Sequence, residues 1–424
     1  MRLIYSFILL FVVVGAAHSQ EPLQRRLNDV CAIISGSGLH LDTVFAASFL
    51  KQVPAEQLVA GVKQITAGLG FCISTRIVES TGAYKAKAEA TTSNGYTIPI
   101  SIGIESQPPY HIEALFLKMP VKDSKNIEAV IEAIKALPGE TSFFAKNLST
   151  GAVIGIHDTT SYLPIGSTFK LYILGELARS IEAGQHQWSD VIQLDTNLFS
   201  LPSGVMQSWP HGSPVTLHTL AAEMISISDN TATDHLLNYL DADNVQKNQA
   251  AMGHSDPSLN DPFMSTRQLF ILKFSDSARR AATYASLNVA ERKKMLTKIS
   301  QTVSRNDVNF IDTVVMPDKL EWFARTPDLV RAMSWLKNAS DEPHTQALRG
   351  ILSINPGLNI DTATWTYIGY KGGSETGVLN MTFLLQHKNG HWYSLSASWL
   401  GTDAPVELVS FAGLIERAIQ LLAP

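Results

Sequence analysis

Cysteine is nearly absent from this sequence: the 424 residues include only Cys31 and Cys72, both in the N-terminal third. Neither lies in a setting that would clearly lower the pKa of its thiol, so neither is expected to be catalytic. In an exported protein the two can form a disulfide, because such bonds persist in oxidising compartments. The alternative is a pair of buried free thiols.

An excess of positive charge is also absent, since the formal net charge is −5 and the isoelectric point is near 6.2. A nucleic-acid partner is therefore not expected, because such proteins carry a basic surface. The histidines form no cluster with cysteine; His387 and His391 flank a predicted hairpin turn. There is no glycine-rich phosphate loop, and we expect no metal or other cofactor.

Long apolar runs are missing beyond the first residues of the chain. Arg2 and the apolar stretch 3–14 are followed by Ala17-His18-Ser19, which fits the small-x-small cleavage site of a secretory signal peptide. The alternative is an uncleaved anchor, but the stretch is shorter than the roughly 20 residues that span a bilayer. We therefore predict a signal peptide over residues 1–19, a periplasmic or secreted protein, and no membrane span after processing.

The N-terminal region, residues 21–118, reads as a small α+β domain. Helical apolar spacing is followed by segments of period two, and Asn94-Gly95 is typical of a hairpin turn. The order of elements resembles the NTF2-like or cystatin-like group of small domains, in architecture only. The predicted helices cover 22–35, 42–50 and 54–67, and the predicted strands cover 71–79, 84–92, 96–104 and 111–118.

A polar segment, residues 119–126, is predicted to be a linker to a second α+β domain over residues 127–424. Strands at both ends of this domain predict one antiparallel sheet, and the helical middle predicts a separate all-helical lobe. The strands are expected near 142–148, 153–157, 365–370, 379–386 and 392–399, with helices over 127–137 and 406–422.

The first chemical motif is Ser167-Thr168-Phe169-Lys170. Residues three apart share one helix face, so the Lys170 amine is expected beside the Ser167 oxygen. A serine at a helix N-terminus also gains from the local positive potential, which favours a developing oxyanion. A neutral lysine can then activate the serine without histidine, although a single Ser-x-x-Lys occurs by chance in many helices.

The second motif is Ser228-Asp229-Asn230. A bend between two helices can aim the Ser228 hydroxyl at Lys170 or at the leaving group, and the Asn230 amide can hold a substrate carbonyl or the lysine. Serine, aspartate and asparagine are also the commonest N-caps, so a plain helix cap is the alternative interpretation.

The third motif is Lys371-Gly372-Gly373-Ser374, at the end of a β-rich segment. Glycines at a strand end let a substrate backbone approach closely, and a backbone N–H here can form an oxyanion hole with that of Ser167. Lys371 favours a substrate carboxylate. A surface turn that carries a lysine is the alternative, but the presence of all three motifs in one chain, each in its expected structural setting, favours a functional role.

With these three motifs, residues 125–424 resemble the class A serine β-lactamase and penicillin-binding protein superfamily. The resemblance implies that Ser167 is the acylated nucleophile, Lys170 its activating partner and Ser228 a proton relay to the leaving amine. It also implies that the substrate contacts are those listed here: Asn230, Lys371, Gly373 and Ser374, the last supplying an oxyanion-hole amide together with that of Ser167.

The chain departs from that superfamily in two ways. The third motif of relatives has threonine or serine where this chain has Gly372, so a hydroxyl that contacts the substrate carboxylate is missing; Ser374 or Thr376 is a candidate substitute. Class A enzymes also carry a loop glutamate that activates water for deacylation, and no glutamate lies between positions 223 and 291. Asp256 or Asp261 is a candidate for that role, with a loop cap as the alternative.

Two further features concern the rim of the expected cleft. The interval from Ser228 to Lys371 is 143 residues, longer than the resemblance implies, and an insertion is expected around 321–328. Trp209 is a candidate substrate contact, with packing as the alternative.

These observations lead to one main prediction and two alternatives. The main prediction is an exported serine hydrolase that opens β-lactam rings, or related peptidoglycan-like amides or esters, through a Ser167 acyl-enzyme with slow deacylation. The first alternative is a carboxypeptidase or esterase like the penicillin-binding proteins. The second is a sensor that is acylated without turnover.

Overall fold

The computed structural model describes residues 15–276, 279–311 and 313–422. The predicted apolar core of the signal peptide, residues 3–14, lies outside the described residues. Contacts divide the chain into two compact units, one of Met1–Asp123 with Val409–Arg417 and the other of Ser124–Leu408 with Ala418–Pro424. In the described part of the chain, no helix has both the length and the apolar character needed to cross a membrane.

The first unit places helices before an antiparallel meander. The order of its main strands is β1-β2-β3-β4, and β5 pairs with β3. Its elements are α1 (Gly15–Ile34), α2 (Leu41–Val44), α3 (Ala47–Gln52), α4 (Ala55–Thr66), β1 (Cys72–Gly82), β2 (Lys85–Thr92), β3 (Tyr96–Ile104), β4 (Ile112–Leu117) and β5 (Val121–Lys122).

The core of this unit follows directly from the two periodicities in its sequence. Leu23, Leu27 and Val30 recur at helical spacing on α1 and are buried, while alternate residues of β2 and β3, such as Ala88 and Ile100, form the facing layer. The sheet therefore packs its apolar face against α1. The resemblance of this unit to NTF2-like or cystatin-like domains stays a prediction.

A disulfide joins Cys31 on α1 to Cys72 at the start of β1, across 41 residues of sequence. It ties the helix to the first strand of the sheet that the helix covers. Within the segment 119–126, which we predicted as a linker, Val121–Lys122 pair with β3. The domain boundaries stay a prediction.

The second unit contains a five-stranded antiparallel sheet in the order β12-β13-β14-β6-β7. The prediction of one sheet built from both ends of the domain is therefore confirmed. Its strands, with the short pairs that flank them, are β6 (Glu140–Asn147), β7 (Val153–His157), β8 (Leu163–Pro164), β9 (Val191–Gln193), β10 (Pro214–Thr216), β11 (Phe323–Ala324), β12 (Trp365–Glu375), β13 (Val378–His387) and β14 (Trp392–Leu400).

Helices occupy the middle of this unit, and most of its core lies among them. Helix α6 is buried along nearly its whole length, including Lys170 at its start and Glu176 in its middle. The helices are α5 (Ile127–Lys135), α6 (Lys170–Glu182), α7 (Leu217–Ser226), α8 (Asn230–Leu240), α9 (Ala242–Ala251), α10 (Thr266–Phe274), α11 (Arg279–Ser286), α12 (Val289–Thr302), α13 (Thr326–Ala339) and α14 (Ala347–Ser353). The last helix, α15 (Leu408–Leu422), has residues in both units.

Candidate active site

Ser167 lies in a 3₁₀ turn, Gly166–Phe169, that leads directly into α6. Two contacts with Trp322 stabilise the turn. The Phe169 ring stacks on the Trp322 ring with centroids 3.6 Å apart, and the Ile165 N–H donates to the Trp322 carbonyl. Ser167 itself is half-buried. The serine hydroxyl is therefore placed at the positive end of a helix, in a turn whose apolar neighbours fix its position.

Lys170 is buried at the first residue of α6, three residues after Ser167. Its Nζ donates hydrogen bonds to the Ser228 carbonyl at 2.7 Å, to the Ser228 Oγ at 2.9 Å and to the Asn230 Oδ1 at 2.7 Å. Burial, and then the positive charge of Lys371, hold the pKa of Lys170 well below its usual value. These are the conditions under which a lysine amine can accept a proton.

Ser228 occupies the bend between α7 and α8, with a φ of +59° that a non-glycine residue rarely adopts. The conformation brings its hydroxyl between two amines, since Lys371 also donates to the Ser228 Oγ, at 3.1 Å. Asp229 stabilises the bend, because its carboxylate caps α8 at the Ala232 N–H. The cap that we gave as an alternative to function is thus present, on the neighbouring residue.

The Asn230 side chain is fully engaged inside the domain. Its Oδ1 accepts from Lys170, and its Nδ2 donates to the Leu201 carbonyl at 3.0 Å. Asn230 therefore contacts the lysine, and its role in substrate binding stays a prediction.

Lys371 on β12 is buried, and its Nζ reaches the Gly372 carbonyl at 2.6 Å as well as the Ser228 Oγ. Burial lowers the pKa of this lysine to about 7. The two amines and the hydroxyl between them form a continuous path from Lys170 to Lys371.

The backbone of β12 meets the nucleophile turn at Gly373. A Cβ at Gly373 would overlap the Ile165 carbonyl and come within 2.5 Å of the Ser167 nitrogen, and one at Gly166 would lie 3.1 Å from the Ser374 nitrogen. Only glycine allows this approach. The two amides that we predicted for an oxyanion hole, those of Ser167 and Ser374, therefore belong to segments in direct backbone contact.

Tyr370 covers the position where the third motif lacks its hydroxyl. A Cβ added at Gly372 would overlap the Tyr370 hydroxyl oxygen, so the phenol fills the space that a side chain at position 372 would take. We had not predicted this residue. The sequence carries a signal, because tyrosine precedes glycine by two residues twice on the strand, in Tyr367-Ile368-Gly369 and Tyr370-Lys371-Gly372.

The two loop aspartates that we considered for deacylation are engaged elsewhere. Asp256 caps a short turn and accepts from the Ser258 N–H and hydroxyl, and Asp261 lies 3.7 Å from the Lys293 Nζ. Among the described residues, neither aspartate forms a hydrogen bond or ion pair with a residue of the three motifs. Trp209 remains partly exposed, which leaves its role as a prediction.

A third buried lysine, Lys273, forms a cluster that sequence reasoning missed. Lys273 on α10 contacts Glu321 at 2.7 Å and Glu375 at 2.5 Å, and the Lys273 and Glu321 side chains are fully buried. Burial and the neighbouring Glu321 raise the pKa of Glu375 well above its ordinary value. Glu375 follows Gly373 by two residues on β12 and so shares its face of the strand.

The chain is similar to proteins of known family and fold. Residues 123–310 match a family model described as the β-lactamase enzyme family. The structure of a β-lactamase from Sphaerobacter thermophilus DSM 20745 is 21% identical, covers 70% of this chain and 98% of its own, and gives a TM-score of 0.52. The structure of PBP-A is 17% identical, covers 70% of this chain and 93% of its own, and gives a TM-score of 0.50.

No curated protein matches the chain. At such identities the solved structures establish a shared fold for the second unit, and its predicted architecture is confirmed to that extent. The roles of the individual site residues stay predictions. The family match and the fold together support a β-lactamase-like serine hydrolase.

Proposed function

We propose that this protein opens β-lactam rings, or related amides and esters, through an acyl-enzyme on Ser167. The observation that carries the proposal is the environment of Lys170, which is buried and whose hydrogen-bond partners are a carbonyl, a hydroxyl and an amide oxygen. A lysine without a carboxylate partner loses its proton more readily and can act as a general base.

Acylation then follows from the arrangement of the groups. Neutral Lys170 accepts the Ser167 proton while the serine oxygen bonds to the substrate carbonyl carbon, and the amides of Ser167 and Ser374 stabilise the oxyanion. As the carbon–nitrogen bond breaks, the proton passes from Lys170 through the Ser228 hydroxyl to the departing nitrogen. Lys371, in its cationic form, attracts a substrate carboxylate to the same side of the site.

Slow deacylation is part of the proposal, because each carboxylate that we considered for activating the water has another partner in the described part of the chain. Asp256 and Asp261 have other partners. Glu375, on the same strand face as Gly373, is already bound to Lys273 in an ion pair. These contacts support an acyl-enzyme that accumulates.

Export is the third part of the proposal. Its support is the N-terminal sequence pattern together with the Cys31–Cys72 disulfide, since structural disulfides persist in oxidising compartments.

The test is intact-protein mass spectrometry of the processed protein during incubation with benzylpenicillin. We expect a stoichiometric adduct that peptide mapping places on Ser167, that Ser167→Ala abolishes, and that decays slowly. Absence of an adduct, or full hydrolysis by Ser167→Ala, would overturn the proposal. Turnover of nitrocefin, a D-Ala-D-Ala peptide and p-nitrophenyl acetate then separates a β-lactamase from a carboxypeptidase or esterase. Labelling without turnover of any of them would identify a sensor.

A further inference from the structure

The Tyr370 side chain is held in a slot that leaves its hydroxyl in one place. Tyr370 and Gly372 are two residues apart on β12 and therefore share a strand face, so the ring runs along the strand and the hydroxyl ends over Gly372. A larger residue at position 372 would displace the phenol. Because position 372 is glycine, the third motif lacks a side-chain hydroxyl there. The missing side chain also leaves the space that the Tyr370 hydroxyl occupies.

Two further contacts fix the ring. A Cβ at Gly357 would lie 2.5 Å from the edge atoms of the Tyr370 ring, and Gly357 has a φ of +71°, so a loop backbone packs closely on the ring. Phe383, the cross-strand partner of Tyr370 on β13, contacts it with ring centroids 4.7 Å apart. The orientation of the phenol is therefore set before any ligand arrives.

The same strand contains a second tyrosine–glycine pair, Tyr367 and Gly369, in which the tyrosine hydroxyl has a partner inside the protein. A Cβ at Gly369 would lie 2.9 Å from the Tyr367 hydroxyl, so Tyr367 also runs over a glycine two residues later. The Tyr367 hydroxyl, however, donates to the Arg349 carbonyl at 3.0 Å. Within the described part of the chain, the Tyr370 hydroxyl has no such partner.

The chemistry of this hydroxyl suits an anionic ligand. Burial raises the pKa of Tyr370 to about 12, so the phenol keeps its proton and remains a donor at any physiological pH. The Lys371 Nζ also reaches Gly372, at its carbonyl oxygen. The Lys371 amine and the Tyr370 hydroxyl thus both lie against Gly372, the amine at its carbonyl oxygen and the phenol at its Cα, and a cation with a neutral donor fits a carboxylate.

We propose that the Tyr370 hydroxyl binds the substrate carboxylate next to Lys371, in place of the side-chain hydroxyl that position 372 lacks. The proposal rests on the proposed acylation of Ser167 and adds the residue that selects substrates with a carboxylate. It assigns to Tyr370 the role for which Ser374 and Thr376 were the sequence-based candidates.

The experiment compares Tyr370→Phe with the matched control Tyr367→Phe, using two acylating probes. Benzylpenicillin carries a carboxylate, and p-nitrophenyl acetate does not. Tyr370→Phe is expected to lower the second-order rate constant of acylation by benzylpenicillin at least about tenfold, as loss of a hydrogen bond to a charged group does. Its reaction with p-nitrophenyl acetate is expected to stay unchanged, because the ring remains in its slot.

Tyr367→Phe is expected to lower the melting temperature and to leave both rate constants unchanged. Two results would overturn the assignment: a Tyr370→Phe rate with benzylpenicillin equal to that of the wild type, or an equal fall with both probes. Failure of the wild type to react with either probe would instead overturn the proposed acyl-enzyme itself. The two ideas can therefore fail separately.

Discussion

Two buried lysines in the second unit differ in what surrounds them. Lys170 meets a carbonyl, a hydroxyl and an amide oxygen, and its pKa falls. Lys273 meets the carboxylates of Glu321 and Glu375, and its pKa rises, because their attraction outweighs the cost of burial. Burial is common to both residues, so the charge of the partners decides the protonation state of each.

This difference separates a reactive lysine from a structural one. A buried ammonium is costly unless an opposite charge compensates it, and the neutral partners of Lys170 do not compensate it. Lys371, the nearest second cation, lowers the pKa of Lys170 further. Lys273 instead holds together α10, the segment before β11 and the end of β12. The comparison therefore predicts kinetic defects from one lysine and stability defects from the other.

The largest expected effect is on catalysis at Lys170. Lys170→Met removes the proposed proton acceptor, and acylation by benzylpenicillin should slow by about a thousandfold, as is typical for loss of a general base. The melting temperature should change little, because the variant also removes a poorly compensated buried amine. Rapid-quench mass spectrometry and thermal unfolding measure the two quantities, and near-normal acylation would remove Lys170 from the mechanism.

The next effect is on stability at Lys273. Lys273→Met leaves two buried carboxyl groups without their cation, so the free energy of unfolding should fall by about 3–5 kcal/mol in urea denaturation. Acylation of the folded protein should stay within a factor of about two, since Lys273 contacts none of the three motifs among the described residues. Adding Glu321→Gln and Glu375→Gln should recover much of the loss. An unchanged unfolding midpoint would contradict the structural role.

A third variant gives Lys170 a carboxylate partner, like those of Lys273. Asn230→Asp places a carboxylate at the Lys170 Nζ, where the amide oxygen now lies at 2.7 Å, and the negative charge should raise the pKa of Lys170. Acylation needs the neutral amine, so the rate at neutral pH should fall by about tenfold or more, and the rising limb of the pH–rate profile should move to higher pH.

The control for this variant is Asn244→Asp, which adds the same charge at an exposed position of α9. Its profile should match that of the wild type. If Asn230→Asp gives the wild-type profile as well, Lys170 is not the group that titrates in acylation.

The sequence distinguishes these two lysines only in part. Lys170 could be predicted because its partner serine is three residues away and the second motif follows in order. The role of Lys273 could not be predicted, because Glu321 and Glu375 lie 48 and 102 residues after it in the chain. Only the packing of the fold brings the three side chains together. Residues whose role depends on local spacing are visible in a sequence, whereas a buried charge cluster is not.

The same difference between local patterns and long-range contacts applies to the fold and to the rest of the site. The strands of the first unit and the two-ended sheet of the second were predicted to within a few residues, because period two and a hairpin turn signal are local patterns. Tyr370 was missed because its role depends on the space above Gly372 and on Gly357, a loop residue from elsewhere in the chain. In the sequence the motif Lys371-Gly372-Gly373 therefore lacks a hydroxyl, and only the structure shows that the Tyr370 hydroxyl lies over Gly372.

The smallest expected effect concerns Lys371, a buried lysine that can change state near neutral pH. Because burial places the pKa of Lys371 near 7, this residue is mostly cationic below that pH and mostly neutral above it. Attraction of a substrate carboxylate should therefore weaken as the pH rises, and KM for benzylpenicillin should increase by about fivefold between pH 6 and pH 8. KM for p-nitrophenyl acetate should stay flat. Lys371→Arg keeps its charge over this range and should remove the pH dependence; a dependence that survives in this variant would have to come from another group.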